Sequence, residues 1–452
     1  MPYPPCTGTA LWPTGTTLWR CYRRVTQPPH IAGPLAATDN ACLITHEPLN
    51  NLNMKTKINP MFWLSNASII LLVVLIPACR SFESTPCIID PRTFIEREIS
   101  LSEIADDVAY IPLDNSLPIS IIYHTSINIL QNSIYLSARD IGIIRFNRDG
   151  SDPTVIGKRG RGPGEWQYCM SIAVDDRTES VYVMDNNNEI KVYYKSGDFK
   201  GTIKLPESED GFNFFGISFY NSKFFASQYI NMGHARFNWI ILDTLGNIIS
   251  QKLNPIPTFE CNIGIAGGTF KFEDKISYWN AYNDTIYSVS PDLNYRPSYI
   301  FTHGEGKLPL EPISGGPNFA EIISRYYMTS LILETNRFLL YRYSHNKKVT
   351  LALIEKETGQ TYKNSATGSD VGIKNDLDGG LPFKPVFYFT EKGNEYLLAL
   401  IEPLQLKAFV SSEEFQNGNP KFPKKQDSLR LLADKVEESD NQLLMIIRLI
   451  KK

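Results

Sequence analysis

The run Gly157-Lys-Arg-Gly-Arg-Gly-Pro-Gly-Glu165 has the composition of an anion cradle, with glycines that admit backbone amides beside the cations Lys158, Arg159 and Arg161. It lacks the GK[ST] ending of a nucleotide-binding loop. It also runs into the strand-like Ser171-IAVDD where a helix would be needed, and Pro163 confines Gly162 to extended or turn geometry. A tight turn between β units is the competing reading, with Arg159, Arg161 and Trp166 still placed to touch a ligand. Oxygen-rich groups at Asp175-Asp176, Asp185-NNN-Glu189 and Asn375-DLD-Gly379 contain the ligand types that Ca²⁺ takes, but none has EF-hand spacing. Asx-rich turns between strands are the preferred reading of them, because Asn and Asp tolerate turn geometry and bond their own backbone. His124, His234, His303 and His345 are scattered without HExxH or HxH pairing, and Gly216-Ile-Ser218 lacks the second glycine of a nucleophile elbow. No catalytic residue is assigned. Trp166, Trp239, Trp279 and Tyr282 lie near polar residues such as Asn238, Asn280, Asn283 and Asp284. Flat rings with polar edges grip sugars and peptide side chains, and they also pack β-sheets together. The candidate ligand contacts are therefore Arg159, Arg161, Trp166, Trp279, Tyr282 and Asn283.

Such residues need a scaffold, and the scaffold is written in repeated strand pairs. Ser133-IYLSARDIGIIRFNRDG-Ser151 and Ser180-VYVMDNNNEIKVYYKSGD-Phe199 alternate apolar and polar residues with period two and close on Asp149-Gly150 and Ser196-Gly197. Weaker copies follow at Lys223-FFASQYI with Phe237-NWIILDTLGNIIS, Lys275-ISYWNAYNDTIYSVSPD, Arg337-FLLYRYS with Lys348-VTLALIEKETGQ, and Glu395-YLLALIEP. Six such units at this spacing predict an all-β, six-bladed β-propeller. Asp107-VAYIPL and Leu443-LMIIRLI have no hairpin partner of their own. They are expected to close the ring by sharing one blade with Tyr396-LLALIEP, leaving no open sheet edge. Short accessory helices are expected at Asp427-SLRLLADKVEES, capped by Asp427 or Ser428, and at Phe319-AEIISRYYMTS.

Upstream, Met54 to Cys79 orders a basic start at Lys55 and Lys57, an apolar run from Ile69 to Ile76, and Ala78 before Cys79. That is the order of a secretory signal, and the run is short for a membrane span of about 20 residues. Residues 1–53 are rich in Pro, Thr and Trp without periodicity, and read as mis-annotated upstream sequence or a disordered leader, with Met54 as initiator. The organisation is then a leader (1–53), a signal peptide (54–78), a tether (79–100) and a propeller (101–452). Formal net charge is −3, which gives no footprint for nucleic acid. Of seven cysteines, Cys87, Cys169 and Cys261 remain beyond Cys79, without metal-ligand spacing, and are expected as buried packing.

Ile76-Pro77-Ala78-Cys79 resembles a lipobox, whose cysteine is diacylated, although Pro77 departs from its usual small or β-branched residue. The succession VAYIPLD, IYLSARDIGIIRFNRDG, IGKRGRGPGEW, SIAVDDRTESVYVMD, NDLDGGLPF and ESDNQLLMIIRL resembles the six-bladed β-propeller lipoproteins of Bacteroidetes, with Gly160 to Glu165 similar to the inter-blade turn of NHL/TolB-like propellers. The resemblance implies lipidation at Cys79 and a cell-envelope location, periplasm-facing or on the cell surface. It implies no reaction. The function expected is a binding or scaffold module for a glycan, peptide or envelope protein, monomeric, touching the membrane only through its lipid and using no cofactor. The alternative is a Ca-dependent lactonase-like hydrolase or lyase working in the propeller channel, because some six-bladed lactonases hold one metal on that axis.

Overall fold

The structure is a computed structural model that describes residues 85–451, apart from 121, 207–213, 230–232, 260–266, 312, 314–317 and 368–370. Residues 1–84, and with them the leader, the signal and Cys79, lie outside the described residues, as does Cys261. Five consecutive antiparallel sheets come from 122–156 (blade 1), 169–204 (blade 2), 216–253 (blade 3), 267–301 (blade 4) and 328–367 (blade 5). Blade 6 takes Phe387–Glu391, Asn394–Ile401 and Leu443–Leu449 from the C-terminal part and Ala105–Pro112 from the N-terminal part; Ala105 to Pro112 pairs antiparallel with Leu443 to Leu449. The first strand of each sheet packs on the first strand of the next, and that of blade 6 on that of blade 1. The fold is a six-bladed β-propeller.

Strand alternation explains the ring. In Val181–Asp185 of blade 2, Val181 and Val183 point into the core shared with blade 1, while Tyr182 and Met184 enter the core shared with blade 3. Successive side chains face opposite sides of a strand, so a sheet buried on both faces is apolar throughout. Each blade-to-blade interface has a core of this kind. The largest of them, between blades 5 and 6, also takes Leu406, Val410, Phe415, Leu429, Ala433 and Val436 from the helical connection 402–442.

The six predicted strand pairs are present. The helices differ from expectation. The predicted helix at Asp427 starts earlier, as Pro423–Lys435, because Pro423 at its first position is preset for helical φ. Phe319–Ile323 is a single turn, after which the chain enters the inner strand Met328–Glu334 of blade 5. Pro403–Val410, not anticipated, packs on Pro423–Lys435, and Lys407 Nζ donates to the carbonyls of Ala433 and Val436 at 3.1 and 2.9 Å. The expected tether is a correction too. Cys87–Ile89 adds a parallel fifth strand to blade 4 and Ile95–Glu96 another to blade 5, so this segment is part of the rim, with Phe94 buried in the core between those blades. Cys87 is exposed and Cys169 half-buried rather than buried, and desolvation pushes the Cys169 thiol up to about 12.

Alternating strand direction separates two faces. Connections between first and second, and third and fourth, strands lie at one end and are short, as at 221–222, 273–274 and 392–393. Second-to-third connections and blade crossovers lie at the other end, which therefore collects the long segments 302–327 and 402–442.

Candidate functional site

All six residues singled out in the sequence fall at the long-loop end. Their side chains do not converge. In the glycine-rich crossover the amides are already used: Gly160 N donates to the Trp166 carbonyl at 2.9 Å, Trp166 N to that of Lys158 at 3.1 Å, and Gly162 N to Glu165 Oε2 at 2.8 Å. The loop thus cradles its own carboxylate, which the Gly162 amide holds below the usual range. Arg159 and Arg161 are exposed; Arg159 Nε donates to the Gln167 carbonyl at 3.2 Å, with its guanidinium 5.4 Å from the Tyr168 ring. Trp166 is 4 % exposed and Trp279 7 %, each lying over a glycine, Gly142 and Gly268 respectively. Tyr282, 2 % exposed, meets Phe259 edge to face at 5.0 Å. Asn283 Oδ1 accepts from Thr285 N at 3.0 Å at the start of the third strand of blade 4. These rings brace loops against blades.

The oxygen-rich groups are likewise engaged. Asp185 accepts from the amides of Gln167, Tyr168 and Asn186, which pins the crossover to blade 2. Asp378 accepts from Asn375 Nδ2 at 2.6 Å and from Gly380 N at 3.0 Å, and burial pushes its carboxyl up. Among the described residues no three His, Cys, Asp or Glu side chains gather as metal ligands.

A hydrogen-bonded chain that sequence reasoning did not assemble crosses from blade 4 to blade 5. Asp284 Oδ1 lies 2.9 Å from His303 Nδ1 and Oδ2 2.8 Å from Lys307 Nζ, while His303 Nε2 lies 3.0 Å from the Tyr341 hydroxyl. A carboxylate behind an imidazole is how a general base is oriented. Here both ring nitrogens are taken, and the ring is stacked between Phe301 and Tyr327 at 5.5 and 4.8 Å. The chain fastens the 302–327 crossover.

Room for a ligand appears elsewhere, at the short-turn end between blades 2 and 3. A cleft of about 470 Å³ opens there, with Asp175, Arg177 and Lys200 on its walls and Tyr182, Phe219 and Phe224 beneath. Tyr182 stacks on Phe219 at 4.9 Å and meets Phe224 edge-on at 4.7 Å, so the floor is one rigid aromatic group. Its volume lies in the ~300–1,000 Å³ range of small-ligand sites. By contrast, the cavity between blades 3 and 4 at Tyr220 and Leu293 measures about 10 Å³, room for a water at most. Of the cleft, only Asp175 was legible as a candidate, because its walls come from two blades.

The chain is similar to several solved structures. A protein from Bacteroides fragilis, described as exported, is 21% identical with a TM-score of 0.58, covering 80% of this chain and 100% of its own. A member of the DUF4221 family from Bacteroides vulgatus is 11% identical with a TM-score of 0.46, covering 77% of this chain and 98% of its own. Virginiamycin B lyase from Staphylococcus aureus is 15% identical with a TM-score of 0.39, covering 65% and 86%. No curated protein matches the chain. Residues 86–448 match the domain of unknown function DUF4934, and the chain belongs to that family.

Proposed function

We propose that this chain is an exported, lipid-anchored propeller that binds a glycan, a peptide or an envelope protein and does not transform it. The observation that carries this is the cleft between blades 2 and 3, an open concavity with polar walls over an aromatic floor. Support for the anchor comes from the signal-like Met54 to Cys79 and from the folded part beginning soon after it. The polar groups with catalytic potential, Asp284, His303 and Asp378, are each engaged in holding loops.

Two measurements test the reading. The detergent-solubilised full chain is applied to glycan and peptide arrays while its metal content is measured and calcium is titrated by calorimetry. Saturable array binding without turnover is the expected result. A stoichiometric divalent ion together with hydrolysis or elimination of a bound compound would replace it with the lactonase-like or lyase reading. Separately, Cys79→Ser should move the protein from the membrane fraction to the soluble one, and an unchanged distribution would remove the anchor.

A further inference from the structure

We propose that the cleft between blades 2 and 3 binds a carboxylated sugar chain, an oligosaccharide bearing uronic acid residues. This rests on the binding-module reading and narrows it to one site and one ligand class.

Two departures from regular strand structure build the cleft wall. In the outer strand of blade 2, Val192 pairs with Gly201 and Tyr193 with Phe199, so Lys200 is the extra residue of a bulge. Bulges re-aim side chains, and Lys200 lines the cleft. Next to it stands Gly201, whose backbone is not left-handed and whose added Cβ would meet nothing within 4 Å. Neither packing nor φ therefore calls for glycine there, although glycine inside a strand is unfavourable. Its missing side chain leaves the wall open.

Charge then selects the ligand. Neither Arg177 nor Lys200 has an ion-pair partner among the described residues, unlike Arg337 with Glu355 or Lys356 with Glu334. The carboxylate on the wall, Asp175, is occupied by Arg177 N at 3.0 Å and Thr178 Oγ1 at 2.6 Å. An entering anion thus meets two cations, Arg177 attracted by the nearby Asp175 and Lys200 lying 5.3 Å from the Tyr194 ring, against one hydrogen-bonded carboxylate, a local excess of positive charge in a protein whose net charge is negative.

Hydroxyls favour a sugar over a peptide. Thr202, Ser222 and Thr244 line the walls with exposed hydroxyls, while those of Thr178 and Ser180 are bonded to each other and Thr178 also to Asp175. Hydroxyls donate and accept, as sugar hydroxyls do, and the Tyr182–Phe219 pair offers an apolar floor for a sugar's C–H face. Phe199–Lys204 is the edge strand of blade 2 and offers main-chain bonds to an extended peptide as well, so an acidic peptide that binds in place of the hexamers would overturn the sugar assignment.

The test is calorimetry of the detergent-solubilised full chain with hexamers of galacturonic, glucuronic and mannuronic acid, each against its carboxyl-reduced counterpart. At least one acid hexamer is expected to bind, tenfold or more tighter than its reduced form and more weakly as salt rises. Arg177→Ala and Lys200→Ala should each weaken it about tenfold. Gly201→Phe, which fills the cleft, should abolish binding with the melting temperature unchanged; if that variant does not fold, Arg177→Glu with Lys200→Glu must abolish binding instead. Equal affinity for acid and reduced hexamers overturns the charge argument, and full affinity in the cleft variants overturns the location. No binding of any acid hexamer overturns the proposal. Array hits of another class, retained in Gly201→Phe, would leave the binding-module reading standing without it.

Discussion

Gly142 combines a backbone and a packing requirement. Its φ is +99°, where a β-carbon is strained, and that carbon would lie 2.4 Å from Cζ2 of Trp166. Gly142→Ala is expected to lose about 3 kcal/mol in urea unfolding, from strain and displacement of the indole together. Shrinking the partner in Gly142→Ala/Trp166→Leu should return only the packing share, a non-additivity that a double-mutant cycle reads directly. Asp284 governs an acid response. Burial alone would raise its carboxyl, but the bonds from His303 and Lys307 outweigh it and hold the pKa below its ordinary value. A depressed folded pKa contributes stability that is complete above the unfolded value near 3.9 and is lost as pH falls through the folded one. Asp284→Asn should therefore cost about 1–3 kcal/mol at pH 7 and flatten the decline below about pH 4. An unchanged acid limb in urea titrations at pH 3 and pH 7 would remove Asp284 from that role.

At the scale of elements, what was legible follows from how much of an element's information is local. The hairpins around Ser133 to Asn147 and Val181 to Tyr193 announce themselves because both faces are buried and each is followed by a Gly turn, Asp149-Gly150 and Ser196-Gly197. Outer strands such as Phe199–Lys204 alternate exposed with half-buried side chains and give no such pattern. The cleft was hidden for the same reason, since Arg177, Lys200 and Phe219 meet only once two blades are placed side by side. The rim strands Cys87–Ile89 and Ile95–Glu96 were read as a tether because they are short, flank Pro91 and owe their form to the edges they join. Their anchorage rests on Phe94, buried between blades 4 and 5. Phe94→Ala should cost about 3 kcal/mol. In hydrogen exchange, residues 87–96 of the variant should lose protection well before the blades, as a locally opening unit does. Equal loss across blades 4 and 5 would show instead that the rim is part of their cooperative core.

At the scale of the molecule, the sixth blade is the place where one short segment holds two interfaces. Leu443, Met445, Ile447 and Leu449 enter the core between blades 5 and 6, while Leu444 and Ile446 enter the core between blades 6 and 1. The same strand supplies hydrogen-bond partners to Asn394–Ile401 on one side and to Ala105–Pro112 on the other. Burying six such side chains stabilises by about 10 kcal/mol or more, comparable with the whole ~5–15 kcal/mol stability of a typical domain. A chain ending at residue 442 should therefore lose more than its last strand. Ala105–Pro112 would be left without a sheet to join, and blades 5 and 1 would each face an incomplete neighbour. The expected outcome is loss of the sharp thermal transition and rapid proteolysis throughout. A synthetic peptide spanning residues 437–452, added in excess, should restore part of the transition in proportion to its concentration, because binding only to the folded form shifts the equilibrium by mass action. A truncated chain that still melts sharply near the full-length temperature would mean that the other five blades are stable without the sixth, and that the two chain ends meet for a reason other than stability.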